Sequence, residues 1–103
     1  MYKIQIGSNE KQLNEASESW INHQVQERRQ SGQPVCARIT LKNDCVDMIL
    51  STPQCGGAGG GGGRQPRCKE SEIFALWNDR HLNQNDWAAG NLIAFLKQLR
   101  RLL

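Results

Sequence analysis

The N-terminal residues alternate between apolar and polar side chains. Tyr2, Ile4 and Ile6 are separated by Lys3 and Gln5. Successive side chains of a β-strand point to opposite faces of the sheet, so this period of two predicts a first strand with one buried face.

A helical pattern follows the first strand. Asn9, with Gln12 three residues later, predicts a helix start of the capping-box kind. Apolar residues then recur on one side of a helix that continues to about Gln30. Gly32 and Pro34 predict its end, because glycine is favoured just past a helix and proline cannot continue one.

Two further alternating segments predict a β-hairpin. A two-residue turn at Asn43-Asp44 places the apolar residues of both strands on one face of the sheet, so the turn and the pattern agree. The register that this turn predicts pairs Leu41 with Val46, Ile39 with Met48 and Ala37 with Leu50.

The last part of the chain predicts two helices joined by a polar linker. The first runs from about Ser71 to Arg80, and the second from about Asn91 to Leu102. The second helix has an apolar stripe wide enough to pack against more than one neighbour. The stripe consists of Leu92, Phe95, Leu96, Leu99, Leu102 and Leu103.

Together these elements predict a single α+β domain over residues 1–103, in the order β-α-β-β-α-α. We expect a three-stranded sheet with the helices packed on one face, because each strand has one apolar face to cover. A length of 103 residues fits one domain and leaves little for a second.

A glycine-rich segment separates the hairpin from the next helix, and residues 56–63 hold seven of the ten glycines. Glycine loses the most backbone entropy on folding, so the segment at about 53–68 is predicted to be a flexible loop. Backbone N–H groups between a strand and a helix can also bind phosphate, although the Gly-Lys-Ser/Thr ending of a P-loop is missing. The candidate residues for a small-anion or nucleotide site are Gly59, Gly61, Gly63, Arg64 and Arg67.

The four cysteines, at positions 36, 45, 55 and 68, have no C-x₂-C spacing, so a zinc finger or zinc ribbon is not expected. The chain does not start with a long apolar segment and is expected in the cytoplasm, where thiols are normally reduced. Free thiols are therefore predicted. The alternatives are a disulfide between Cys55 and Cys68, and a redox or metal site using Cys36, Cys55 and Cys68.

Charge and hydropathy narrow the classes of partner. The net charge of +3 is smaller than a dedicated nucleic-acid-binding domain usually carries, so nucleic acid is not the expected partner. The longest apolar run, residues 92–96, is far shorter than the roughly 20 residues of a membrane span. Neither His23 nor His81 lies in a known catalytic pattern, and we predict no catalytic residue, metal site or cofactor.

Two segments of the chain resemble a known group of proteins. They are residues 35–64, VCARITLKNDCVDMILSTPQCGGAGGGGGR, and residues 90–103, GNLIAFLKQLRRLL. They resemble small uncharacterised bacterial proteins with a β-hairpin, a glycine run and a leucine-rich last helix. The resemblance implies a bacterial, intracellular protein. No activity is known for those proteins, so no functional residue follows from it.

The leading hypothesis is a non-enzymatic binding or interaction module. We expect it to form a homodimer, and a different protein partner is the alternative. A thin sheet covers only part of the apolar stripe, and soluble monomers rarely expose a large apolar patch. The predicted interface residues are Leu92, Phe95, Leu96, Leu99 and Leu102, with Lys97, Arg100 and Arg101 at the rim. A small-anion binder and a thiol-based redox or metal protein are the alternatives.

Overall fold

A computed structural model describes residues 1–52, 55, 68–79 and 89–103 of the chain. Within these residues, none of the helices combines the length and apolar character needed to cross a membrane. Most of the loop predicted at about 53–68, and the polar linker, lie outside the described residues. The elements are β1 (Tyr2–Ile6), β2 (Asn9–Gln12), α1 (Glu18–Gln30), β3 (Ala37–Lys42), β4 (Asp47–Ser51), α2 (Glu70–Asp79) and α3 (Ala89–Leu102).

The strands form a four-stranded antiparallel sheet in the order β2-β1-β3-β4. The α+β class is confirmed, but the prediction of three strands was wrong. The additional strand, β2, occupies the place where the sequence predicted the start of the first helix. Its residues pair with β1 from Lys3–Gln12 to Ile6–Asn9.

The turn between β1 and β2 explains the missed strand. Gly7 has a φ of +62°, a left-handed conformation that suits the first position of a two-residue hairpin turn. The turn folds the polar segment NEKQ back onto β1 as an exposed edge strand. An edge strand of this kind has no alternation of apolar residues, so its sequence does not show the period of two.

Helix α1 starts at Glu18, with Ser17 as its N-cap, and not at Asn9. The Ser17 hydroxyl accepts a hydrogen bond of 3.1 Å from the backbone N–H of Trp20, which is the usual role of an N-cap serine. The predicted end at Gln30 is confirmed. Gly32, with a φ of +70°, donates its N–H to the carbonyl of Arg29 and closes the last turn.

The β3–β4 hairpin has the predicted faces but not the predicted register. Leu41 pairs with Met48, and Ile39 with Leu50, so the ladder is displaced by two residues from the prediction. A displacement of two residues keeps every side chain on its own face of the sheet. The apolar residues that were predicted to pack against the helices are therefore buried, as expected.

The cause of the displaced register is the length of the turn. Residues 43–46 connect the strands, where the prediction used Asn43-Asp44 alone. The side-chain Oδ1 of Asn43 accepts hydrogen bonds of 2.8 Å from the backbone N–H groups of Cys45 and Val46. An asparagine that bonds to the backbone two and three residues ahead stabilises the wider turn.

One hydrophobic core joins the sheet to all three helices. On β1, β3 and β4, buried residues alternate with residues that are partly or fully exposed, so the helices cover one face of the sheet. The central buried side chains are those of Ile4, Ile6, Ile39, Leu41, Leu50, Ile21, Val25, Ile73, Leu92, Phe95 and Leu99.

The prediction of free thiols was wrong, because the structure joins Cys36 to Cys55 and Cys45 to Cys68 in disulfides, with Cα–Cα distances of 4.5 Å and 5.4 Å. The pairing of Cys55 with Cys68 was also wrong. Cys36 precedes β3 and Cys55 follows β4, so those two meet at the open end of the hairpin. Cys45 lies in the turn, and Cys68 returns to it just before α2. The two bonds therefore lie at opposite ends of the hairpin.

Candidate functional site

An apolar cleft lies between the end of β2 and the C-terminal half of α3. Its volume is about 380 Å³, which falls within the range of small-molecule sites in proteins. Apolar atoms form most of its walls. The described residues that line it are Tyr2, Gln12, Leu13, Asn14, Leu96, Leu99, Arg100 and Leu103.

The connection between β2 and α1 forms one wall of the cleft. The N–H of Leu13 donates to the carbonyl of Tyr2 at 3.0 Å and extends the sheet by one residue past β2. The N–H groups of Glu15 and Ala16 both donate to the carbonyl of Gln12 at 3.0 Å, which closes a compact turn. Leu13 is 6% exposed and packs into the core, so this wall is fixed before any ligand arrives.

Helix α3 forms the opposite wall, and Arg100 ties the two walls together. Its Nη2 donates a hydrogen bond of 2.8 Å to the carbonyl of Leu13 and a longer one of 3.4 Å to the carbonyl of Ala16. Leu96 and Leu99 line this wall but are 2% and 0% exposed, so the accessible leucine surface on this side comes from Leu103, which is 39% exposed. A long arginine side chain can cover apolar surface with its stem while its guanidinium remains in water.

Arg100 is the only charged side chain among the described residues that line the cleft. Other cations nearby have acidic partners: Lys97 pairs with Glu18 at 2.8 Å, and Lys3 with Glu10 at 3.2 Å. Within the described part of the chain, Arg100 makes no ion pair with a carboxylate. The cleft is therefore apolar, with one positive charge at its edge.

The structure buries most of the predicted interface inside a single chain. Leu92, Phe95 and Leu99 are fully buried, and Leu96 is 2% exposed. Those four side chains pack against the sheet and the other helices, so they are not accessible to a second copy while this fold is kept. Leu102 is half-buried at the surface. Two of the five residues, Leu96 and Leu99, line the cleft.

The predicted anion-binding residues Gly59, Gly61, Gly63, Arg64 and Arg67 all lie outside the described residues. His81 does too. His23 is exposed on α1 and pairs with Glu27 at 3.3 Å. In the described ranges, no three histidine, cysteine or acidic side chains are grouped so that they could hold a metal ion.

Sequence reasoning missed the cleft because its walls are distant in the chain. The hydrogen bond between Arg100 and Leu13 joins residues 87 positions apart. The predicted first helix, which runs from Asn9 to about Gln30, includes Leu13, whereas the structure places Leu13 in the connection between β2 and α1. The one local signal was an arginine next to the apolar stripe of the last helix, and it had been assigned to the rim of a dimer contact.

Comparison of the chain with protein-family models, with curated proteins and with solved structures finds no match. The cleft itself is therefore the basis for inferring a function.

Proposed function

We propose that this protein is a non-enzymatic binding module and that its binding site is the cleft between the β2–α1 connection and α3. The observation that carries the proposal is a mostly apolar cleft of about 380 Å³, lined also by a few polar side chains. Binding sites for small molecules typically combine apolar walls with a few polar groups that fix orientation.

The chemistry of the lining supports binding rather than catalysis. The polar side chains among the described lining residues are those of Tyr2, Gln12, Asn14 and Arg100. Nucleophilic catalysis needs a nucleophile within hydrogen-bond reach of a base, and these side chains do not provide such a pair. The amide and guanidinium groups are instead suited to orienting a ligand.

The test is a titration of the ¹⁵N-labelled protein with 1-octanol, a small apolar probe, followed by NMR chemical shifts. We expect saturable shifts in residues that line the cleft, such as Leu13, Leu99 and Leu103. An indole at position 14 occupies space at the mouth of the cleft, so Asn14→Trp is expected to weaken the response at least several-fold. The matched control is Glu15→Trp, because Glu15 is also exposed in the same turn but does not line the cleft.

Two results would remove the proposal. One is the absence of saturable shifts in the parent protein. The other is a set of shifts centred away from the cleft and equal in the Asn14→Trp and Glu15→Trp variants.

Self-association remains a second proposal. Leu103 is 39% exposed, Met1 is 60% exposed, and Leu102 is half-buried. Leu103 and Tyr2 both line the cleft, so the mouth of the cleft combines apolar surface from the two ends of the chain. A two-fold homodimer that buries this surface on both copies is the form that we propose for the protein without ligand, and a ligand that enters the cleft would compete with it.

The other hypotheses keep their own tests. A phosphate or nucleotide site at Arg64 and Arg67 predicts a thermal shift with nucleotides that is lost when both arginines become alanine. Metal binding by the cysteines requires free thiolates, and the structure pairs all four. A thiol-based redox function predicts instead that one of the two disulfides is reduced and re-formed reversibly. The cytoplasmic location and bacterial source remain expectations. The disulfides count against that location, because cytoplasmic thiols are normally reduced.

A further inference from the structure

We propose that the ligand of the cleft is a small anionic amphiphile, a molecule with one apolar chain and a carboxylate head. This inference rests on the proposed function and adds the chemical class of the ligand. The structure supports it through the position of one cation beside an otherwise apolar cavity.

The positive charge beside the cleft favours a negatively charged ligand. Arg100 carries the only charged side chain among the described lining residues, and none of the other lining side chains is acidic. Lys97, one helical turn earlier, is already paired with Glu18 at 2.8 Å. Attraction between opposite charges therefore favours an anion at the Arg100 edge of the cleft.

The hydrogen bonds of Arg100 leave donors for such an anion. Both of its bonds, to the carbonyls of Leu13 and Ala16, are made by Nη2. A guanidinium has five N–H donors in a planar fork, so those on Nη1 and Nε remain for a carboxylate. The two carbonyls hold the guanidinium beside the cleft, and a ligand does not have to immobilise a freely moving side chain.

The leucines that line the cleft favour a ligand with an apolar chain. Four leucines line it: Leu13, Leu96 and Leu99 are at most 6% exposed, and Leu103 is 39% exposed and offers the most accessible leucine surface. A volume of about 380 Å³ is at the small end of the range for ligand sites, which favours a single short chain over a fused ring system. Burial of the chain would supply the affinity, and the contact with Arg100 would fix its direction.

The experiment compares octanoate with 1-octanol, which have chains of the same length and differ in charge. Binding is measured by isothermal titration calorimetry and by NMR shifts, at low and at high salt. We expect octanoate to bind at least about tenfold more tightly than 1-octanol at low salt, because a hydrogen bond to a charged group contributes more than a neutral one. We also expect salt to weaken octanoate alone.

Variants of two neighbouring arginines test whether Arg100 causes the preference for octanoate. Arg100→Gln is expected to remove most of the preference for octanoate, and Arg100→Lys to keep part of it, since the charge remains but the fork is lost. Arg101→Gln is the matched control, because Arg101 is exposed on the same helix and does not line the cleft. Each variant is first shown to be folded by its NMR spectrum.

The outcomes separate this inference from the proposed function. Equal, salt-independent binding of octanoate and 1-octanol in the cleft would overturn the anionic head and leave the binding site in place. Binding of neither probe would overturn both. A preference for octanoate that Arg101→Gln removes and Arg100→Gln keeps would also contradict the inference. If Arg100→Gln does not fold, the salt dependence in the parent protein decides the question.

Discussion

The Nη2 of Arg100 donates a hydrogen bond of 2.8 Å to the carbonyl oxygen of Leu13, which lies 87 positions earlier in the chain. This bond connects the end of the last helix to the segment between the first hairpin and α1. It closes the cleft on the side where the sheet has no further strand.

The disulfide connectivity gives the first prediction. Peptide mapping without reduction is expected to recover Cys36 joined to Cys55 and Cys45 joined to Cys68. Each bond closes a loop of about 20 residues or more, so serine substitution of either pair is expected to lower the free energy of unfolding by about 3 kcal/mol. Recovery of a peptide in which Cys55 is joined to Cys68 would contradict the structure.

The two glycines with positive φ give the second prediction. Gly7→Ala and Gly32→Ala should each lower the free energy of unfolding by about 1–2 kcal/mol, because a side chain is strained in the left-handed region. Gly7→Ala is expected to cost only slightly more, since its Cβ would displace the flexible guanidinium of Arg28 from its bonds to Ser8 and Gln33, whereas Gly32 has open space around it. Chemical denaturation measures both changes.

Arg28→Ala provides the control for this comparison. In the Arg28→Ala background the guanidinium is absent, so the two glycine substitutions should become similar in cost. If Gly7→Ala remains as costly as before in that background, the contact with Arg28 is not the cause.

The buried hydroxyl of Thr52 gives the third prediction. It donates to the carbonyl of Val35 at 3.2 Å and accepts from the N–H of Ala37 at 3.0 Å. Thr52→Val keeps the shape but leaves both backbone groups without this partner, at an expected cost of about 1–3 kcal/mol. Thr40→Val on the open face of the sheet is the control and should change stability by no more than about 0.5 kcal/mol. Equal effects of the two substitutions would show that the Thr52 hydroxyl contributes little.

Self-association gives the fourth prediction. Sedimentation equilibrium at micromolar concentration is expected to show a species of twice the chain mass. Leu103→Asp should dissociate it without unfolding the chain, because Leu103 is partly exposed, whereas Leu99→Asp should unfold the chain, because Leu99 is fully buried. A single species with the mass of one chain would remove the homodimer.

The sequence predicted the buried faces well, and the structure shows why. The alternation in β1, β3 and β4 and the spacing in α3 both record which side chains face the core. Such patterns tolerate error in register, since the β3–β4 ladder is displaced by two residues and still buries Leu41 and Met48.

Features that depend on contacts between distant segments could not be predicted from the pattern of apolar residues. The segment NEKQ becomes a strand only because Gly7 turns it back onto β1, and its own residues carry no strand pattern. Four cysteines allow three connectivities, and spacing alone does not choose among them. The cleft forms where α3 packs against the β2–α1 connection. The residues of neither segment indicate that the two segments are in contact.

The most direct test of the account is an isotope-filtered NOE experiment on the ¹³C-labelled protein with unlabelled octanoate. The account predicts contacts between the protons of the octanoate chain and the methyl groups of Leu13, Leu99 and Leu103, which line the cleft. Ile49 serves as the internal control, because it is 52% exposed on the open face of the sheet, away from the cleft. Contacts to Ile49 without contacts to the cleft leucines would contradict the central claim that this protein binds its ligand between the β2–α1 connection and α3.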